Sequence, residues 1–181
     1  MTTNKRRLEH VMIDLETRAL TPDAAIVSIG AVLFDPRYNK VSDKSFYTEL
    51  DWEVQNRHIC SETTKWWLGL PMDIQNSLYG LDGLSEQLVE LGKWLPKDAK
   101  VWGNGSIFDI AMLENAYCQC DVDIPWKFWN IRDMRTIKDM YESQRGSLER
   151  KYDPNLHNSL YDARLQAELV CKYWSGILSR G

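Results

Sequence analysis

Along Val11-Met-Ile-Asp-Leu-Glu16, Val11, Ile13 and Leu15 alternate with Met12, Asp14 and Glu16. Alternation with period two predicts a β-strand that presents the two sets on opposite faces. Thr21-Pro-Asp23 breaks the chain, and residues 26–34 follow as a β-branched apolar run closed by Asp35-Pro36, a second strand. Residues 45–50 alternate again and predict a third. Three strands joined by short connections predict an antiparallel meander.

The period then changes to that of a helix. Residues 61–68 start at a plausible N-cap, Ser61, and stop at Gly69 and Pro71. Residues 83–95 carry Leu84, Leu88, Leu91 and Leu95 on one stripe before Pro96. Residues 100–102 form a short strand running into Gly103-Asn-Gly105, and residues 107–117 a helix with Ile110, Leu113 and Tyr117 on one face. Residues 133–141 predict another helix, residues 142–154 a polar loop, and residues 159–178 a long last helix. Strands followed by alternating helices and strands predict a single α/β domain over residues 1–181 with a mixed central sheet.

Composition narrows the class. The 181 residues are 44% hydrophobic with eight Trp and eight Tyr, enough to bury a core and unlike a disordered chain. No apolar run reaches the length of a membrane span. The basic start, Lys5-Arg-Arg7, lacks the apolar stretch of a secretory signal. Cys60, Cys118, Cys120 and Cys171 are scattered, with one C-x-C pair and no second pair at zinc-finger spacing. These features point to free thiols in a reducing compartment and a cytoplasmic location. The net charge of −4 does not suit a protein that coats nucleic acid. It does suit an enzyme that joins an acidic metal site to a few phosphate-holding cations.

The acids supply the candidate chemistry. Asp14 and Glu16 share one face of the first strand, and two clustered carboxylates near the middle of a sheet need a compensating charge. Hard oxygen ligands suit Mg²⁺ or Mn²⁺; the plain alternative is a strand end with solvated acids. Asp109 opens a helix after a glycine turn, where the helix dipole alone would favour an acid. His157 and Asp162 bracket the start of the last helix, with Ser159 as N-cap and Asp162 in a capping-box position. His10 and His58 have no acidic constellation in the sequence and read as structural. Each pattern alone is weak, and their ordered combination is not.

That combination, with Met12-Ile-Asp-Leu-Glu-Thr17, Ile26-Val-Ser-Ile-Gly-Ala31, Val101-Trp-Gly-Asn-Gly-Ser-Ile-Phe-Asp109, Arg132-Asp-Met-Arg135 and His157-Asn-Ser-Leu-Tyr-Asp-Ala-Arg164, resembles the DEDDh exonucleases of the ribonuclease H-like superfamily. Within them it is most similar to a compact branch of 3′→5′ exoribonucleases like ribonuclease AS and ribonuclease T. The resemblance spans nearly the whole chain and holds at all five core positions. It implies hydrolysis of single-stranded RNA or DNA from the 3′ end to nucleoside 5′-monophosphates, with RNA favoured. It also implies two divalent metal ions, Mg²⁺ or Mn²⁺, which in such sites lie about 3.5–4 Å apart. Asp14 would bridge both ions, Glu16 and Asp162 would complete one site, and Asp109 would serve the second. His157 would be the general base, a role open to a neutral imidazole of ordinary pKa near 6.5.

Around that centre, Phe108 is a candidate for stacking on a terminal base, and Trp66 with Trp67 for walling the nucleotide pocket. The Thr17 backbone N–H is a candidate partner for the terminal 3′-hydroxyl. Arg145, Arg150 and Lys151 are candidates for backbone phosphates, and Arg132 and Arg135 for the interface of a homodimer, which relatives of this kind form. Two other readings stand beside it: a non-catalytic nucleic-acid-binding module of the same fold, and a Rossmann-type nucleotide-binding domain. The second is poor, because Phe108 occupies the third glycine position of the fingerprint and no phosphate-loop motif occurs.

Overall fold

Strand β1 (His10–Thr17) is the middle strand of a five-stranded sheet in the computed structural model, which describes residues 8–148 and 156–179. It pairs antiparallel with β2 (Ile26–Asp35), which pairs antiparallel with β3 (Lys40–Glu49). On its other edge β1 runs parallel to β4 (Lys100–Gly103), which runs parallel to β5 (Ile131–Asp133). The strand order is β3-β2-β1-β4-β5. The mixed sheet follows from connection lengths: short turns between the first three strands permit hairpin-like pairing, and helical crossovers bring β4 and β5 in parallel.

Helices cover both faces. Val11, Ile13, Leu15, Ile29 and Ala31 face a core closed by α3 (Leu84–Trp94) and α4 (Ser106–Gln119). Met12, Val32, Phe34 and Trp102 face the opposite core, closed by α5 (Met134–Arg145) and α6 (Ser159–Leu178). Two short helices, α1 (Ser61–Leu68) and α2 (Met72–Gln75), lie between β3 and α3. No described helix is long and apolar enough to cross a membrane.

Several boundaries depart from the sequence reading. β3 begins at Lys40 rather than residue 45, because its polar first half is held by pairing with β2 rather than by burial. β5 and α2 were not expected; three and four residues are too few to show a period. α5 continues to Arg145, four residues into the expected loop, before Gly146 at φ 79° ends it. Asn158, not Ser159, caps α6, its Oδ1 accepting the Tyr161 N–H. Ser61 is the first residue of α1 rather than its cap.

One packing contact positions the site. The N-terminal turn of α6 sits directly on β2 at Gly30, whose neighbour across the ladder is Asp14. A Cβ on Gly30 would fall 2.2 Å from the Ser159 carbonyl carbon. Beside it, Ser28 Oγ and Ser159 Oγ share a buried hydrogen bond of 2.9 Å. Gly30→Ala should therefore push the start of α6 off the sheet. The expected result is a loss of about 1–3 kcal/mol of stability in urea unfolding.

Candidate active site

Asp14 and Glu16 leave the C-terminal half of β1 on the face that carries α6. Between Glu16 and Thr17 the β1–β2 ladder slips by one residue, a bulge that turns the strand end at the site. Asp109 enters from the first turn of α4, after a chain reversal that needs glycine twice. A Cβ on Gly103 would stand 2.8 Å from Asp109 Oδ2, and Gly105 takes φ 102°. Asp133 then ties the two helix starts together. Its Oδ2 accepts the Ser106 N–H at 2.5 Å and its Oδ1 the Arg135 N–H at 2.7 Å, satisfying free donors at both N-termini.

Asp162 and His157 come from the start of α6. The Asp162 Oδ2 accepts the His157 backbone N–H at 2.8 Å. His157 has φ 75°, a left-handed conformation uncommon outside glycine and often found at functional sites. Its ring meets the edge of Trp66 with centroids 4.9 Å apart at 88°. Ligand atoms of Glu16, His157 and Asp162 all lie within 4.8 Å of one another.

These side chains converge on one cleft of 680 Å³ that holds Asp14, Glu16, Asp109, His157 and Asp162. Phe108, Leu165 and Leu169 give it an apolar wall, and Arg135 and Lys172 a cationic rim. A second cavity of 450 Å³ adjoins it through Asn104 and Arg135.

The electrostatics are those of acids held together against repulsion. Burial raises the Asp14 carboxyl well above its ordinary range, and Asp109, Glu16 and Asp162 raise it further. Burial, then Asp162 and Asp109, lift Glu16 from 4.5 to about 8. Asp109 is also raised, chiefly by burial, against the pull of the Leu15 and Asn104 N–H groups. Such a donor set fits a hard divalent cation, which replaces the protons that otherwise neutralise it.

The other candidates are placed less uniformly. Trp67 departs from the expected wall: it is fully buried, and its Nε1 donates to the Thr17 carbonyl at 2.9 Å. Trp66, 43% exposed, is the member of the pair that meets His157. Thr17 is buried, with Oγ1 donating to the Ala19 carbonyl. Arg145 closes α5 and its guanidinium donates to the Ser179 carbonyl, at the far end of α6 from His157. Arg150 and Lys151 lie outside the described residues. Arg132 donates to the carbonyls of Trp129 and Ile131, whereas Arg135 lines the cleft. His10 is buried and accepts the Trp102 indole N–H.

The sequence reading overlooked Asn104, Asp133, Lys172 and Gln166. Gln166 Nε2 donates to Asp14 Oδ1 at 2.6 Å. Its position four residues after Asp162, on the same helix face, was the available signal.

The five-stranded mixed sheet with helices on both faces is a ribonuclease H-like fold, and it gathers four acids and a histidine into one cleft beside its central strand. The chain belongs to the Rv2179c-like family, whose profile, described as a 3′-5′ exoribonuclease Rv2179c-like domain, matches residues 9–174. No curated protein matches the sequence. Among solved structures, E. coli exonuclease I in complex with an oligonucleotide superposes with a TM-score of 0.68 at 13% identity, over 94% of this chain. This chain spans only 41% of that enzyme. The nuclease domain of 3′hExo, a DEDDh family member bound to rAMP, gives 0.59 at 14% identity, over 90% of each chain. S. pombe Pop2p in its Mg²⁺- and Mn²⁺-bound form gives 0.58 at 14%, over 91% of this chain and 82% of that one. At these identities the likeness is one of fold.

The raised carboxyls set a stability prediction for metal-free protein. Below pH 4.5 Glu16 is protonated whether folded or unfolded, and its full contribution to stability is present. From pH 4.5 up to about 8 the unfolded chain is ionised while the folded site keeps its proton, so that contribution falls across the interval and is lost once pH has risen through about 8. Chelated protein should therefore melt lower at pH 8 than at pH 5. Glu16→Gln should recover on the order of 2 kcal/mol at pH 8, and saturating divalent cation should flatten the pH dependence. Equal melting temperatures across this range would refute the account.

Proposed function

We propose that the chain, as one exonuclease domain, removes nucleotides from the 3′ end of single-stranded nucleic acid, RNA in preference to DNA. The products are nucleoside 5′-monophosphates. The observation that carries this reading is the convergence of Asp14, Glu16, Asp109, His157 and Asp162 in one cleft. The preference for RNA is supported by the family's description.

Asp14, Glu16, Asp109 and Asp162 would hold two divalent cations, Mg²⁺ or Mn²⁺. Bound there, the ions supply Lewis-acid stabilisation of charge on the phosphoryl and leaving 3′-oxygens, and acidify the attacking water. The His157 imidazole accepts the proton of that water. Its left-handed backbone, the bond from its N–H to Asp162 and the edge of Trp66 hold the ring in place. Phe108 offers an aromatic surface for a base. Arg135 and Lys172 in the cleft lining would receive backbone phosphates, and the Thr17 N–H is the candidate partner for the terminal 3′-hydroxyl. Exposed Phe128 and Trp129, with centroids 4.9 Å apart, support pairing with a second copy.

The test uses matched 5′-labelled single-stranded RNA and DNA with Mg²⁺ or Mn²⁺. A metal-dependent ladder shortening from the 3′ end is expected, faster on RNA and absent with chelator or in Asp14→Ala. His157→Ala should slow it by about 10²–10⁴-fold. Folded protein that binds RNA but yields no ladder with either metal would mark a non-catalytic binding module. Sedimentation of a monomer at micromolar concentration would remove the dimer.

A further inference from the structure

Gln166 lies on α6 one turn beyond Asp162, with its side chain only 8% exposed. Its amide nitrogen donates to Oδ1 of Asp14 at 2.6 Å, the short end of the range for such bonds. Its amide oxygen is buried and has no donor among the described residues. A buried acceptor without a donor is unfavourable, and an apolar side chain of similar shape would fill the space without that penalty. The packing therefore does not account for a glutamine here; the bond to Asp14 does.

We propose that Gln166 is a positioning residue: its amide fixes the rotation of the Asp14 carboxylate, and so the direction in which both oxygens are offered to a divalent cation. This rests on reading the carboxylates as cation ligands. A free carboxylate on β1 can turn about its last bond, away from Glu16, Asp109 and Asp162. Gln166 opposes that rotation from α6, the helix that also brings Asp162 to the site. Outer partners of this kind characteristically tune metal affinity without touching the metal.

The experiment compares wild type, Gln166→Met and Gln166→Leu, both of which keep bulk and remove the donor. Mn²⁺ binding is measured by calorimetry, metal-free melting by scanning calorimetry, and oligonucleotide hydrolysis over a range of Mn²⁺. In Gln166→Met the metal-free melting temperature should equal or exceed that of wild type, since the orphaned acceptor is gone. Its Mn²⁺ Kd should weaken by about 10–100-fold. At subsaturating Mn²⁺, kcat should fall while KM for the oligonucleotide stays, with excess Mn²⁺ restoring part of the rate. Wild-type Mn²⁺ affinity in either folded variant overturns the proposal. So does a melting temperature lowered in both variants, which marks Gln166 as a packing residue. Failure of wild type itself to bind Mn²⁺ would instead overturn the reading of the carboxylates.

Discussion

Mutual repulsion among four clustered carboxylates, Glu16 and Asp109 buried and Asp14 and Asp162 half-buried, is the interaction around which this structure is built. Asp14, Glu16, Asp109 and Asp162 would separate, or lie in solvent, if side-chain preference alone decided their places. Instead three independent elements force them together. β1 sits at the centre of the sheet and fixes two of them; α4 starts against Gly103 and delivers the third; α6 lands on Gly30 and delivers the fourth. A Cβ on Gly30 would collide with the α6 backbone and one on Gly103 would crowd the Asp109 carboxylate, so these two glycines are where the fold yields space to the chemistry.

The same arrangement explains which polar contacts surround the acids. Asp133 holds the starts of α4 and α5 in one geometry, and the Ser28–Ser159 bond pins α6 to β2. These bonds lie outside the acid cluster and favour the folded site without neutralising it. Burial dominates at Asp109, and the Leu15 and Asn104 N–H groups and the Arg135 charge oppose it. The donor set of clustered carboxylates is one that suits a compact divalent cation.

Comparison of the two cores shows how one strand serves both stability and function. Val11, Ile13 and Leu15 bury one face of β1 against α3 and α4 along its whole length. On the other face only Met12 is apolar, and Asp14 and Glu16 follow it into the cleft. The strand thus changes from core to site along a single face, at the point where α6 begins. Trp67, fully buried and bonded to the Thr17 carbonyl, supports that strand end from behind. This is why a tryptophan that reads as a pocket wall in the sequence belongs to the framework, and its neighbour Trp66 meets the histidine.

Much of this was legible in the chain because it depends on local period. Alternation placed Asp14 and Glu16 on one face of the first strand, leucine spacing gave α3, and the H-x-x-x-x-D spacing put His157 and Asp162 at one helix start. Where the period was too short or polar, the sequence was silent: β5 has three residues and the first half of β3 is polar. Assembly was legible only through resemblance, since nothing in the separate segments says that Asp109 approaches Asp14. Tertiary structure alone decided that Gly30 and Gly103 are contact points, that Asp133 joins two helices, that Arg145 turns to the end of α6, and that Gln166 reaches Asp14. The physical reason is range. Periodicity and capping act over a few residues and are written in the sequence, whereas the Gln166–Asp14 bond joins positions 152 apart and exists only once α6 has docked on the sheet.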